Sequence, residues 1–150
     1  MRRFATPGIL KKLRLALLRL LFVLFLTRVV AQVVVVLVHP RWLPPMKDWY
    51  SGLLPYPLLL PAQMAILALM VFMIRQIAKA PLRNRRLAIG IFIFATLYVA
   101  AMVVRLVILR THHPDFLWYE GGMIPILFHW VLAAFLFTYA AERSYGVRQR

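Results

Sequence analysis

Four long apolar stretches constrain what this chain can fold into more than any other feature of its sequence. Each is close to the ~20 residues that an α-helix needs to cross ~30 Å of hydrocarbon. A hydrophobic fraction of 63% also lies well above that of soluble domains. The sequence therefore predicts an all-α integral membrane protein, a single domain over residues 1–150 built as a bundle of four transmembrane helices. The predicted spans are about 20–38, 58–74, 87–109 and 123–141.

Lys and Arg are distributed unevenly among the connections between these spans. Six lie in residues 1–19, five between the second and third spans and three in the tail 142–150, whereas the two other connections hold only Arg41, Lys47 and Arg110. Because the cytoplasmic loops of membrane proteins carry the excess of basic residues, we expect both termini in the cytoplasm. The connections at 39–57 and 110–122 then face outward from the inner (plasma) membrane.

The net charge of +15 does not indicate a nucleic-acid-binding protein, because the basic residues flank apolar runs and form no continuous face for a phosphate backbone. Basic segments beside a membrane instead attract anionic lipids, which we expect at the cytoplasmic face. The basic segment 1–19 resembles the n-region of a signal peptide. The apolar run after it is too long for such a peptide, so we interpret the first span as an uncleaved anchor.

The first outward connection contains a short amphipathic pattern after Pro44 and Pro45. Apolar residues recur there at helical spacing, with polar residues on the opposite side. Trp and Tyr are the residue types that anchor at the level of lipid headgroups. We therefore predict a short interfacial helix, with Met46, Trp49, Tyr50, Leu53 and Leu54 on one side and Lys47, Asp48 and Ser51 on the other.

Each span carries one polar residue at a similar depth below the outer boundary, namely Gln32, Gln63, Arg105 and His129. A helix rises about 1.5 Å per residue, so all four lie roughly 6 to 10 Å inside. Polar groups in hydrocarbon turn toward the bundle interior, and we expect these side chains to converge. Two interpretations remain open. In the first, the side chains form interhelical hydrogen bonds, and Arg105 pairs with Glu120 or Asp115 at the rim. In the second, they line a cavity that binds a ligand.

Arg28 lies near the middle of the first span if that span begins at Leu20, with Gln32 one turn later on the same face. An arginine at that depth is a candidate for function. In the alternative interpretation the span runs from about Phe22 to Trp42, and Arg28 is shallow enough to extend toward the cytoplasm.

Two cofactor hypotheses come from the stretch between Arg105 and Trp130. The absence of cysteine excludes disulfides and thiolate metal sites. Imidazole and carboxylate ligands suit zinc, copper or iron, and they predict a metal site formed by His112, His113, Asp115 and Glu120. A haem b group would instead take His129 as an axial ligand.

A third hypothesis needs no cofactor. A quinone, a lipid headgroup or another small polar molecule would be held by Gln32, Gln63, Arg105, Glu120 and His129. In this hypothesis His129 is the residue that transfers a proton.

The small size of the chain, 17.5 kDa with almost no extramembrane domain, leads us to expect an accessory or interaction subunit of a larger membrane complex. The partner would be another membrane protein or a second copy of the chain. Small residues that would permit close helix approach are Gly90, Ala95, Ala133, Ala134 and Ala140. The alternative is a membrane-embedded enzyme or binding protein with an outward-facing polar cavity, although the sequence contains no nucleophile elbow and no phosphate-binding glycine loop.

Overall fold

The computed structural model describes residues 7–49, 56–79, 84–115 and 122–145, and these residues form helices and their connections. The helices are α1 (Pro7–Val38), α2 (Met46–Trp49), α3 (Tyr56–Lys79), α4 (Arg85–His112) and α5 (Met123–Tyr145). All except α2 are long and apolar enough to cross a membrane. The predicted all-helical fold with four candidate membrane-spanning helices is therefore confirmed.

The long helices run in alternating directions, so the bundle has two distinct ends. At the connector end, α1 and α4 end, α3 and α5 begin, and α2 lies between α1 and α3 in the chain. At the terminal end, α1 and α4 begin and α3 and α5 end. Helix α5 is the centre of the bundle because it packs against all the other helices. Helix α3 packs mainly against α1 and makes a small contact with α5, whereas α4 packs closely on α5 alone.

The ends of the helices follow from local chemistry. Helix α1 stops where His39 adopts a positive φ of 50° and donates its backbone N–H to the Val35 carbonyl, and Pro40 follows. Helix α4 begins after Asn84, whose side chain accepts a hydrogen bond of 3.0 Å from the backbone N–H of Leu87. Gly122, with a φ of 86°, provides the left-handed turn before α5.

Several helix boundaries differ from the sequence prediction. Helix α3 continues to Lys79 rather than ending near residue 74, and α4 extends from Arg85 to His112 rather than over about 87–109. Helix α1 begins at Pro7, so the basic residues from Lys11 to Arg19 belong to the same continuous helix as the first span. Helix α5 continues to Tyr145, so Glu142 and Arg143 are helical and buried rather than part of a tail. In each of these places the helix continues past the apolar run, because Lys, Arg and Glu have good helix propensity and charge alone does not stop a helix.

The main core lies where α1, α3 and α5 meet, and it includes Phe25, Met70, Ile77, Phe135 and Tyr139. Helix α4 buries only Ala88 and Ala95 fully, and these small residues allow it to approach α5 closely. Of the other small residues, Ala133 and Ala140 are also buried, whereas Gly90 is exposed. Most of the surface of α4 is therefore exposed, and much of it is apolar.

Candidate functional site

A cavity of about 230 Å³, which we call the polar cavity, lies in the half of the bundle nearer the connector end. All five helices contribute to its lining. Most of the lining is apolar or aromatic, and four side chains bring polar groups to it: Arg28 from α1, Gln63 from α3, Tyr98 from α4 and His129 from α5. The cavity therefore combines an apolar wall with a small number of hydrogen-bonding groups, which is the usual composition of a ligand site.

Gln63 links two helices and also lines the polar cavity. Its Nε2 donates a hydrogen bond of 2.9 Å to Oε1 of Gln32, and both side chains are buried. Bonds of this kind contribute about 0.6 to 2 kcal/mol to helix association. The Oε1 atom of Gln63 is buried and has no hydrogen-bond partner within the described part of the chain. Gln63 therefore joins α1 to α3 and also carries a buried acceptor that the described part of the chain leaves unpaired.

Arg28 lies inside the bundle with only 6% of its surface exposed. Its Nη2 is 3.5 Å from the Trp49 carbonyl, and its guanidinium carbon is 5.5 Å from the centre of the Phe128 ring. Its Nε is buried and has no hydrogen-bond partner among the described residues. Within the ranges that the structure describes, no carboxylate lies at ion-pair distance from it. The side chain extends toward the connector end, and α1 ends at Val38. The alternative interpretation, with a span to Trp42 and Arg28 extending toward the basic end, is not what the structure shows.

His129 is oriented by its own helix. Its Nδ1 is hydrogen-bonded to the Pro125 carbonyl, one turn earlier. Because a carbonyl oxygen can only accept, Nδ1 carries the proton, and in the neutral ring Nε2 is an acceptor. The ring of His129 lies 5.4 Å from the ring of Tyr98. His129 therefore offers a lone pair that can accept a hydrogen bond or a proton.

The remaining predicted site residues are placed elsewhere. Arg105 is partly buried on α4 and does not line the polar cavity. His112, His113 and Asp115 are exposed at the end of α4, and Glu120 lies outside the described residues. Among the residues that the structure does describe, no group of three His, Cys, Asp or Glu side chains is arranged to hold a metal ion. The metal site, which includes Glu120, stays a prediction.

The geometry gives no support to haem b. The polar cavity is smaller than the roughly 300–1,000 Å³ of typical ligand and cofactor sites. His129 is also the one histidine among the described residues that line it. A small ligand, or the polar part of a larger one, fits the available space better.

Sequence reasoning missed several of the residues that the structure brings together. Tyr98 lines the polar cavity, but a tyrosine in an apolar helix gives no signal of its own. At the terminal end a second set of polar side chains, which we call the terminal-end network, consists of Arg14, Gln76, Tyr139, Glu142 and Arg143. Its α5 members could have been found, because residues 139, 142 and 143 share one helical face with the buried Phe135.

The terminal-end network joins α1, α3 and α5. Arg14 Nη1 and Glu142 Oε2 form an ion pair of 3.0 Å. Arg143 donates from Nε to the Tyr139 hydroxyl at 2.9 Å and from Nη2 to Oε1 of Gln76. The charged groups of this network are therefore satisfied by protein side chains.

Comparisons with known proteins give no relative for this chain: no family model, no curated protein and no solved structure matches it. A functional assignment therefore has to come from the polar cavity and the groups that line it.

Proposed function

We propose that this chain is a membrane-embedded binding protein whose polar cavity holds the anionic or strongly polar group of a small ligand. The observation that carries the proposal is Arg28, a buried cation in the cavity with no carboxylate at ion-pair distance among the described residues. An arginine at the centre of a membrane helix costs roughly 3 kcal/mol on insertion scales and marks functional positions. An anionic or oxygen-rich ligand supplies the missing counter-charge.

The other polar groups of the cavity narrow the chemistry of the ligand. Arg28 Nε is a donor, whereas Gln63 Oε1 and His129 Nε2 are acceptors. A ligand with one oxygen that accepts and one hydroxyl or protonated oxygen that donates matches this set. A quinol, which is the reduced form of a quinone, and a lipid headgroup that carries a hydroxyl both have such groups. His129 is the residue that can accept a proton from it.

The test compares two membrane-embedded arginines that carry the same substitution. Native mass spectrometry of the chain, gently extracted from its own membrane, detects bound small molecules as added mass. We expect the wild type and Arg105→Gln to retain a bound molecule, because Arg105 does not line the polar cavity, and Arg28→Gln to lose it. The proposal is wrong if all three proteins carry the same bound molecules, or if the wild type carries none.

The proposed orientation places the connector end outside and the terminal end in the cytoplasm of the inner (plasma) membrane, with α2 at the outer interface. The basic residues of α1, α3 and α4 near the terminal end support this orientation, among them Lys11, Lys12, Lys79 and Arg85. The chain has no cysteine, so single cysteines report topology without background. In intact cells we expect a membrane-impermeant maleimide to label Trp42→Cys and not Ser144→Cys. The reverse pattern would invert the orientation.

A role as an accessory subunit is the second candidate, and α4 favours it. This helix packs closely on α5 alone, and it exposes an apolar surface that includes Ile93, Leu97 and Val104. Another membrane protein or a second copy of this chain would cover that surface. Recovery with a stoichiometric partner chain, and with no small molecule bound, would support this candidate over the first.

A further inference from the structure

We infer that the ligand is an amphiphile from the bilayer, a long-chain molecule whose head group carries one negative charge on oxygen, and that it reaches Arg28 sideways between α3 and α4. The inference rests on the proposed function, because it names the class of ligand for the same polar cavity. A phosphodiester lipid and a fatty acid share this chemistry.

The connector end of the polar cavity is covered by Trp49. This side chain is buried, its Nε1 donates a hydrogen bond of 2.9 Å to the Pro44 carbonyl, and it packs with Val35 and Ile124. Helix α2, which carries it, contacts both α1 and α5. A water-soluble ligand that approached from this end would have to displace a packed indole ring.

The terminal end of the bundle is closed by the main core. Leu18, Met70, Ile77 and Phe135 are fully buried between the polar cavity and that end. The ion pair between Arg14 and Glu142 lies in the same half of the bundle. An aqueous path to Arg28 from this side would require the three packed helices α1, α3 and α5 to separate.

The side of the bundle between α3 and α4 is different. These two helices do not pack closely against each other, yet both line the polar cavity. The lining residues Leu59, Ala62 and Ile66 of α3 and Tyr98 of α4 are only partly buried, and we call this region the α3–α4 opening. Its α3 residues lie about 5 to 15 Å from the start of that helix, at about 1.5 Å per residue. In a hydrocarbon layer ~30 Å thick, this opening faces acyl chains.

Size and charge then select the class of molecule. A cavity of about 230 Å³ is too small for a whole lipid and suits a head group, so the chain of the ligand stays among the acyl chains. Arg28 is the cation of the cavity lining, and it matches a single negative charge. Gln63 Oε1 and His129 Nε2 are acceptors for hydroxyl groups on the head, which a glycerol phosphodiester carries and a carboxylate does not.

The experiment measures binding to the purified full chain by native mass spectrometry. The probes are phosphatidylglycerol, oleate, zwitterionic phosphatidylcholine and water-soluble glycerol phosphate. We expect one anionic amphiphile per chain, with a preference of about tenfold over phosphatidylcholine that Arg28→Gln removes and Arg105→Gln keeps. Glycerol phosphate neither binds nor competes. If phosphatidylglycerol binds more tightly than oleate, the anionic group comes from a phosphodiester lipid. If oleate binds more tightly, the anionic group comes from a fatty acid.

The outcomes separate this inference from the proposed function. If glycerol phosphate binds as tightly as phosphatidylglycerol and requires Arg28, the binding site stands and the amphiphile is wrong. If the wild type carries an Arg28-dependent molecule from its own membrane but binds neither anionic amphiphile, the inference is again wrong. If no bound molecule depends on Arg28, both the inference and the proposed function fail.

The route is tested by blocking the opening after the protein has folded. Ala62→Cys, in the α3–α4 opening, is modified with a bulky maleimide in the folded protein, and Ala65→Cys, which is exposed on α3 outside the cavity lining, is the matched control. We expect modification at 62 to lower lipid binding by about tenfold or more and modification at 65 to have no effect. Equal binding by the two modified proteins would overturn the lateral route.

Discussion

The two halves of this bundle each bury an arginine, and they treat it in opposite ways. Arg143 at the terminal end is 5% exposed, and its guanidinium is bonded to the Tyr139 hydroxyl and to Gln76. Arg28 is 6% exposed, and it has one long contact to a carbonyl, one aromatic face and a buried Nε that no described residue bonds to. The comparison teaches that burial alone does not mark a functional charge. The better mark of a functional charge is a buried charged group whose polar atoms have no hydrogen-bond partner among the described residues, as at Arg28.

The largest expected effect on stability is at Arg143. Arg143→Gln removes the hydrogen bonds to Tyr139 and Gln76 and leaves buried polar atoms unpaired, which costs about 2–4 kcal/mol. The control is Arg75→Gln, which changes an exposed arginine that precedes Gln76 on α3. We expect this substitution to cost less than about 0.5 kcal/mol. Thermal unfolding in detergent gives both values. Equal melting temperatures for the two variants would show that the terminal-end network does not stabilise the fold.

A smaller effect is expected at the ion pair between Arg14 and Glu142. Glu142 is buried, but the Arg14 side chain is 24% exposed, so solvent weakens the pair. We expect Glu142→Gln to cost about 1–2 kcal/mol, with a coupling of about 1 kcal/mol in a double-mutant cycle with Arg14→Gln. A coupling of zero would mean that the two charges do not act on each other in the folded protein.

The hydrogen bond between Gln32 and Gln63 separates helix packing from binding. Each single change to Leu leaves one buried amide unpaired and is expected to cost about 1 kcal/mol. Only Gln63→Leu is expected to weaken ligand binding as well, because Gln63 lines the polar cavity and Gln32 does not. Melting temperature and native mass spectrometry on the same samples measure the two effects. Equal losses of binding in both variants would contradict this division.

The smallest expected effect on stability is at Arg28. In ligand-free protein, Arg28→Gln removes a buried charge without a described carboxylate partner, so it is expected to leave the melting temperature unchanged or higher. The carboxamide variant Glu120→Gln tests whether an acid outside the described residues interacts with Arg28. If Arg28→Gln and Glu120→Gln both destabilise the ligand-free protein by several kcal/mol, Arg28 is paired within the chain and has a structural role.

The sequence predicts the helices well, because long apolar runs have few alternatives to a membrane-spanning helix. The depth of Gln32, Gln63 and His129 can be counted along a helix, and the structure joins Gln32 to Gln63 and places Gln63 and His129 in one cavity. Depth does not determine how a helix is rotated about its axis. Arg105 shares the predicted depth but does not line the cavity, whereas Tyr98 on the same helix does.

Arg28 shows a second limit of counting residues along a helix. Its Cα lies deeper than those of the other polar residues, but its long side chain extends toward the connector end and brings the guanidinium to the cavity. The terminal-end network was missed for the opposite reason, since Glu142 and Arg143 look like the start of a polar tail. Only the packing of α1 and α3 against this end of α5 shows that they are buried.

The most direct test of the central claim, that a bound molecule supplies the counter-charge of Arg28, is the native mass spectrum of the chain extracted from its own membrane. We predict a bound molecule with an anionic or strongly polar group in the wild type and in Arg105→Gln, and its loss in Arg28→Gln with the melting temperature of the ligand-free protein preserved. The same bound mass in Arg28→Gln as in the wild type would contradict the claim.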